Sequence, residues 1–268
     1  MKILFISLGC DKNLADSEEM LGLLTGNGHE IVDSEEEADA IVINTCCFIH
    51  DAKEESVNTI LEMAEYKKTG TCKILIVTGC MAQRYKEEIT EEIPEVDAVL
   101  GTTSYGDIVK ALNEAEAGHV FREFKDINAL PEDSGRRVIT TGGHFGYLKI
   151  AEGCDKHCTY CIIPSLRGKF RSVPEERLLK QAEYMASQGV RELILVAQET
   201  TVYGTDLYGK KTLHILLKKL CQIKGIRWIR VLYCYPEEIY DELIQVMKEE
   251  KKICHYLDLP IQHASDRI

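Results

Sequence analysis

Short apolar runs alternate with amphipathic stretches along the first half of the chain. The runs at 2–8, 40–44, 73–77 and 98–100 are almost wholly apolar, without polar alternation. Such runs belong to strands buried on both faces. Between them the spacing is helical. Positions 16–24 put Met20, Leu21, Leu23 and Leu24 on one side, with Asp16 or Ser17 as a cap. Positions 51–67 put Val57, Ile60, Leu61 and Ala64 on one face. Further helices are expected over 83–93 and 101–118. Gly26-Asn27-Gly28 supplies a turn. A β-then-α order of this kind predicts an α/β fold with an open parallel sheet.

The second half repeats the order. Strands are expected over 147–152, 192–197, 228–233 and 255–259, and helices over 174–188, 213–220 and 237–248. Pro174 stands at a helix start and Gly189 just past its end. This pattern predicts a partial (β/α) barrel of the TIM type, with its site at the carboxyl ends of the strands. The stretch 123–137 holds the turn and coil formers Asn128, Pro131, Asp133, Ser134 and Gly135, and reads as a linker. Two domains follow, 1–135 and 136–268.

Charge sharpens that division. The 268 residues carry a net charge of −12. Residues 1–135 hold 11 Lys+Arg against 28 Asp+Glu, whereas 136–268 hold 21 against 16. An acidic first half argues against broad binding to a phosphate backbone and favours a basic partner. Solvated helix faces account for the same charge equally well. No apolar run approaches the roughly 18–20 residues of a membrane helix. The apolar start is too short for a signal peptide, and no small-residue cleavage site follows. Eleven cysteines in a chain without an export signal are expected to be ligands and free thiols in the cytoplasm, not disulfides.

The cysteines carry the chemistry. Cys154, Cys158 and Cys161 form a C-x3-C-x2-C run on the loop after the strand at 147–152. Thiolates at this spacing hold iron–sulfur clusters, and three of them leave one iron of a [4Fe–4S] cluster open. A zinc site with His157 as fourth ligand, or free thiols, would use the same residues. Cys10, Cys46 and Cys80 each lie just past the carboxyl end of an expected strand. In an open parallel sheet those ends share one side, so three distant thiols can converge there on a second cluster. Each alone also reads as a small buried residue. Cys47, Cys72, Cys221, Cys234 and Cys254 are expected to pack. Gln198, Tyr235 and Gln262 fall at strand ends of the second half, and Arg230 lies in a strand. Gln198, Arg230 and Gln262 are candidate polar contacts. Lys156, Arg167, Lys169 and Arg171 make a basic patch, facing solvent or a carboxylate. His157, His214 and His263 have no metal spacing and read as ordinary histidines.

The stretch from Ala151 to Gly168, with Cys154, Cys158, Cys161, Pro164 and Arg167, resembles the cluster loop of radical S-adenosylmethionine (SAM) enzymes. Ser7-Leu-Gly-Cys10-Asp-Lys-Asn13, Asn44-Thr-Cys46 and Thr78-Gly-Cys80-Met-Ala-Gln83 resemble the cysteine motifs of the methylthiotransferases among them. The resemblance implies two [4Fe–4S] clusters and two uses of SAM. One cluster, on Cys154, Cys158 and Cys161, cleaves SAM to a 5′-deoxyadenosyl radical. The other, on Cys10, Cys46 and Cys80, carries the sulfur. It implies SAM contacts from Tyr160 and Gly189 as well. Val196-Ala-Gln-Glu-Thr-Thr201, Leu232-Tyr-Cys-Tyr-Pro-Glu-Glu238 and Leu259-Pro-Ile-Gln-His-Ala-Ser-Asp266 are similar to the branch that modifies an aspartate β-carbon in small-subunit ribosomal protein number twelve. The transfer RNA branch, an iron–sulfur carrier and a non-catalytic binding module are the alternatives. An electron donor is implied and contact with RNA is left open. Members of the family continue past the position of Ile268 with the rest of the barrel and a TRAM domain, so the chain is expected to be carboxyl-terminally truncated.

Overall fold

Strands β1 (Lys2–Ser7), β2 (Glu30–Val32), β3 (Ala40–Thr45), β4 (Ile74–Gly79), β5 (Ala98–Leu100) and β6 (Phe121–Glu123) form one sheet in the order β2-β1-β3-β4-β5-β6. Every neighbouring pair is parallel. The structure is a computed structural model, and it describes residues 1–268 except Ser134 and Ile268. Helices α1 (Asp11–Gly26), α2 (His50–Thr69), α3 (Cys80–Arg84), α4 (Glu88–Glu92) and α5 (Ile108–Glu116) make the crossovers.

Both faces of this sheet are covered, which is why its central strands read as unbroken apolar runs. On one face Met20 and Leu24 of α1 and Ile108, Ala111 and Leu112 of α5 pack on Ile3, Val42, Ile76 and Leu100. On the other, Ile60, Met63 and Ala64 of α2 and Met81 and Ala82 of α3 pack on Leu4, Ile41, Ile43, Leu75 and Val77. Leu61, expected on the buried face of α2, is 47% exposed, and Met63 takes its place. The stretch 83–93 forms two short helices instead of one, and β6 has no counterpart in the sequence reading.

The chain divides into two compact units. Unit 1 comprises Met1–Val138 together with Asp155–Lys169; unit 2 comprises Ile139–Cys154 and Phe170–Ile268. The sheet above belongs to unit 1, and so does α6 (Ile163–Arg167). Leu166 of α6 enters the core beside α3, and Thr102 Oγ1 donates to its carbonyl oxygen at 2.8 Å. The carboxyl segment that reads as linker therefore ends in structure: Val138 N donates to Glu18 O at 3.0 Å.

Unit 2 is built on β7 (Phe145–Lys149), β10 (Glu192–Val196) and β11 (Trp228–Val231), all parallel, in the order β11-β10-β7. The run expected as one strand over 147–152 breaks after Lys149. Its end, β8 (Ala151–Glu152), pairs antiparallel with β9 (Arg171–Ser172). Leu178, Ala182 and Met185 of α7 (Glu175–Ser187), Leu213, Leu216 and Leu220 of α9 (Leu213–Cys221) and Leu243 and Val246 of α10 (Asp241–Glu249) are buried, as are Leu148, Leu193, Leu195, Ile229 and Val231 on one face of the sheet. A short helix, α8 (Thr205–Tyr208), lies between β10 and α9. The other face of the sheet presents Tyr147, Ile194 and Arg230, in register and partly exposed.

The strand expected over 255–259 is not formed. A single parallel bridge, Ile229 to Ile253, stands in its place. Beyond it the chain runs as coil, with Cys254 N donating to Ile229 O, Cys234 N to Asp258 O and Tyr233 N to Asp258 Oδ2, each at 2.9 Å.

Candidate functional site

Cys46 and Cys80 stand level at one end of the unit 1 sheet. Each follows the last residue of its strand, and those residues, Thr45 and Gly79, are register partners. Cys10 comes off β1, the neighbour of β3 on its other side. The three are graded toward solvent: Cys46 is buried, Cys80 half-buried and Cys10 exposed.

Two glycines permit this approach. Gly9 has φ +92, and a Cβ there would lie 2.8 Å from Cys46 Cβ and 3.1 Å from its sulfur. Gly79 has φ +93, and a Cβ there would meet Asn44 Oδ1 at 2.3 Å. A side chain at either position fails on backbone and on space.

The scaffold behind the thiols is polar and sealed. α1 starts at Asp11, directly after Cys10, so Asp16 and Ser17 lie inside the helix and do not cap it. That shift buries Asn13, which is 0% exposed. Asn13 Nδ2 donates to Leu8 O at 3.1 Å and to Thr45 O at 2.9 Å, fastening the chain just before Cys10 and Cys46. Asn44 Nδ2 donates in turn to Asn13 O at 2.9 Å and to Ser17 Oγ at 2.9 Å. Ser56 Oγ accepts from Cys46 N at 3.0 Å and donates to Cys46 O at 2.8 Å.

The sequence places Arg167 in a basic patch that faces solvent or a carboxylate. It is only 4% exposed. Its Nη1 donates to Asp16 Oδ2 at 2.8 Å and its Nη2 to Asn13 Oδ1. The thiols sense one another and this cation. Burial pushes the Cys46 thiol up, Cys10 adds to it, and Arg167 pulls it back. Burial likewise raises Cys80, against the charge and hydrogen bond of Arg167. Cys47, beside Cys46, packs into the α2 face of the core, and burial pushes it up to about 12. It is a packing residue, as its neighbour's opposite orientation requires.

Among the described residues, no group of three or more His, Cys, Asp or Glu closes around one metal ion. A mononuclear centre would need that. A four-iron cube does not, because each thiolate binds a different corner. Three soft donors on adjacent strand ends, with a permanent cation behind them, fit such a cube.

The second triad is differently placed. Cys154 ends the first segment of unit 2 and is buried, 9% exposed. Before it Lys149 and Glu152 form a buried ion pair. Cys158 and Cys161 lie on the 155–169 segment of unit 1, both half-buried, with Cys161 N donating to Cys158 O at 3.0 Å. Tyr160 between them is 72% exposed.

Of the polar candidates in unit 2, Gln198 is the buried one. It lies just past the carboxyl end of β10, 8% exposed, and its Oε1 is enclosed without a hydrogen-bond partner. Beside it Thr200 Oγ1 donates to Leu232 O at 2.7 Å, and Tyr233 adopts φ +58 at the end of β11. A tyrosine in the left-handed region stores about 1 kcal/mol or more of strain.

Three other candidates lie away from it. Gly189 has φ +100 and terminates α7, accepting the backbone geometry that ends a helix. It sits before β10, at the amino end of the sheet, opposite Gln198. Arg230 Nε donates to Glu192 Oε1 at 2.7 Å, and its guanidinium lies over the Tyr256 ring at 5.3 Å. Glu192 opens β10, so this arginine is drawn toward the amino end too. Gln262 is exposed on coil and donates to Pro260 O at 2.8 Å, because the strand that would have presented it is absent.

The comparisons with known proteins agree with these motifs. Residues 2–101 match the uncharacterized protein family UPF0004, and residues 148–268 match the radical SAM superfamily. The ribosomal protein uS12 methylthiotransferase RimO of Lachnoclostridium phytofermentans is 68% identical over all of this chain, which covers 61% of that protein. The protein of the same description from Clostridioides difficile is 53% identical, again over the whole chain and 60% of the relative. The chain thus spans about three-fifths of the length of these relatives. Among solved structures, the radical SAM methyltransferase TsrM from Kitasatospora setae, with cobalamin and a [4Fe-4S] cluster bound, superposes with a TM-score of 0.65 at 12% identity. That match covers 99% of this chain and 62% of that one, and shows likeness of fold.

Proposed function

We propose that the chain belongs to the radical SAM methylthiotransferase family and transfers a methylthio group to the β-carbon of an aspartate in ribosomal protein uS12. Two thiol triads carry this reading: the C-x3-C-x2-C run at Cys154, Cys158 and Cys161, and Cys10, Cys46 and Cys80 gathered at adjacent strand ends. When bound, the [4Fe–4S] clusters and SAM supply the reductive cleavage of a sulfonium and the sulfur to be inserted.

The chain's own residues supply the rest. Cys154, Cys158 and Cys161 would hold one cluster with an iron open to SAM. Cys10, Cys46 and Cys80 would hold the other, with Gly9 and Gly79 letting the backbone come close. Gln198 offers a dry, unpaired acceptor to a donor on SAM, and Tyr160 an exposed ring to its adenine. The acidic surface of the first half suits a basic ribosomal protein. Acting on such a substrate, with reduced thiols, assigns the chain to the cytoplasm. A reductant of low potential is required.

The test is anaerobic reconstitution, then addition of a reductant, SAM and uS12. Production of 5′-deoxyadenosine and a methylthio mass gain on uS12, both lost in Cys158→Ala, would support the proposal. Two loaded clusters with neither product would sink it.

A further inference from the structure

Arg167 follows Cys161 closely in sequence, on the segment that carries one thiol triad, yet its guanidinium is buried against the support of the other. It does not act as a surface cation, since it is 4% exposed. Its fork makes bonds of different kind, among them Nη1 to Asp16 and Nη2 to Asn13 Oδ1. The same Asn13 oxygen receives the Cys80 thiol, at 3.8 Å. The other end of that amide holds the carbonyls of Leu8 and Thr45, beside Cys10 and Cys46. One Asn–Arg unit thus reaches the chain next to all three cysteines.

The chemistry of ligation changes the partners. A cysteine binds metal as thiolate, so the Cys80 sulfur loses its proton and becomes an acceptor only. Asn13 Oδ1, also an acceptor, no longer suits it. The guanidinium of Arg167, held on that oxygen, is a permanent donor beside it. A cationic donor to a cluster ligand stabilises the reduced, more negative state. α6 holds the arginine there, through Leu166 in the core and Thr102 Oγ1 on its carbonyl.

We infer that Arg167 is the positioning residue of the Cys10/Cys46/Cys80 centre: it donates to the Cys80 sulfur in the ligated state and orients Asn13. The retention and potential of that centre then depend on the segment that carries Cys158 and Cys161. The inference rests on the reading of these three thiols as a cluster site.

The experiment uses the full chain carrying Cys154→Ala, Cys158→Ala and Cys161→Ala, so that one cluster remains to be measured. In it, Arg167→Met is combined with Asp16→Asn, which leaves no stranded carboxylate and no change in net charge. Redox titration followed by electron paramagnetic resonance should show a more negative midpoint, and a chelator should remove iron about 10-fold faster, the usual scale for an outer-sphere partner. Arg167→Lys should recover part of both. A folded double variant with the parent's midpoint overturns the inference, because a merely structural arginine would leave the potential alone. If the double variant does not fold, Arg167→Lys decides: a shifted midpoint supports the inference and an unshifted one overturns it. Absence of a cluster from the parent removes the cluster reading of the site itself, and the inference with it.

Discussion

The side-chain amide of Asn13 donates to the carbonyl oxygen of Thr45 at 2.9 Å, across 32 residues of sequence and with no solvent access. It is the bond that fixes the chain before Cys46 to the first turns of α1. Asn13→Leu would remove the donor to that carbonyl and to that of Leu8, and the acceptor of Arg167 Nη2. Each stranded group costs about 1–3 kcal/mol. The iron-free variant should show a lower denaturant midpoint with an unchanged slope.

The same face depends on Gly9. Gly28 provides a control, because it too has positive φ, +85, but nothing lies within 4 Å of its would-be Cβ. Gly28→Ala should cost about 1 kcal/mol from backbone strain alone. Gly9→Ala should cost more, since its Cβ meets Cys46, and should reduce iron bound at that triad. Equal costs in chemical unfolding would show that the approach of Gly9 to Cys46 is looser than described.

Iron counts separate the triads. The reconstituted chain should bind about eight irons, as two four-iron clusters. Replacing Cys10, Cys46 and Cys80 by alanine should leave about four, and replacing Cys154, Cys158 and Cys161 the other four. Replacing Cys47 should leave all of them.

The buried thiols make stability fall at high pH. Burial pushes Cys47 up to about 12, and Cys221 and Cys234 up to about 11, from 9.0. The unfolded chain releases these protons first, so it binds fewer than the folded chain above pH 9. Stability is therefore complete below the unfolded value and lost as pH rises through the folded ones. The denaturant midpoint of the iron-free chain should drop between about pH 8 and about pH 10.5. Iodoacetamide at the lower pH should label exposed Cys10 well before Cys47, as mass spectrometry of peptides would show.

Gln198 tests the SAM side. Its enclosed Oε1 has no partner, so Gln198→Leu should be neutral or slightly stabilising in the cofactor-free chain. The reconstituted variant should bind SAM about 10-fold more weakly by equilibrium dialysis, the scale of one hydrogen bond.

Much of the fold was legible because a parallel sheet covered on both faces leaves unbroken apolar runs, as at Ala40–Thr45 and Ile74–Gly79. The cysteines were legible because their positions past strand ends follow from topology alone. The helix start at Asp11 was not, since Cys10 caps it without a side-chain bond and no propensity marks it. The strand at 255–259 reads well by composition, but a strand exists only by pairing, and the pairing with β11 stops at the bridge of Ile253.

By itself the sequence determined the alternation of strand and helix, the spacing of the six cysteines and the motifs around them. Those depend on local periodicity and on spacing, which the chain carries residue by residue. Only the tertiary structure decided that Arg167 faces Asp16 and Asn13, that Gly189 and Arg230 turn to the amino end of their sheet, and that Gln198 keeps an unpaired oxygen. For the two arginines this is a choice of partner between residues far apart in sequence. Burial makes that choice, because an ion pair or a polar atom removed from water is held only where the fold has already placed its complement.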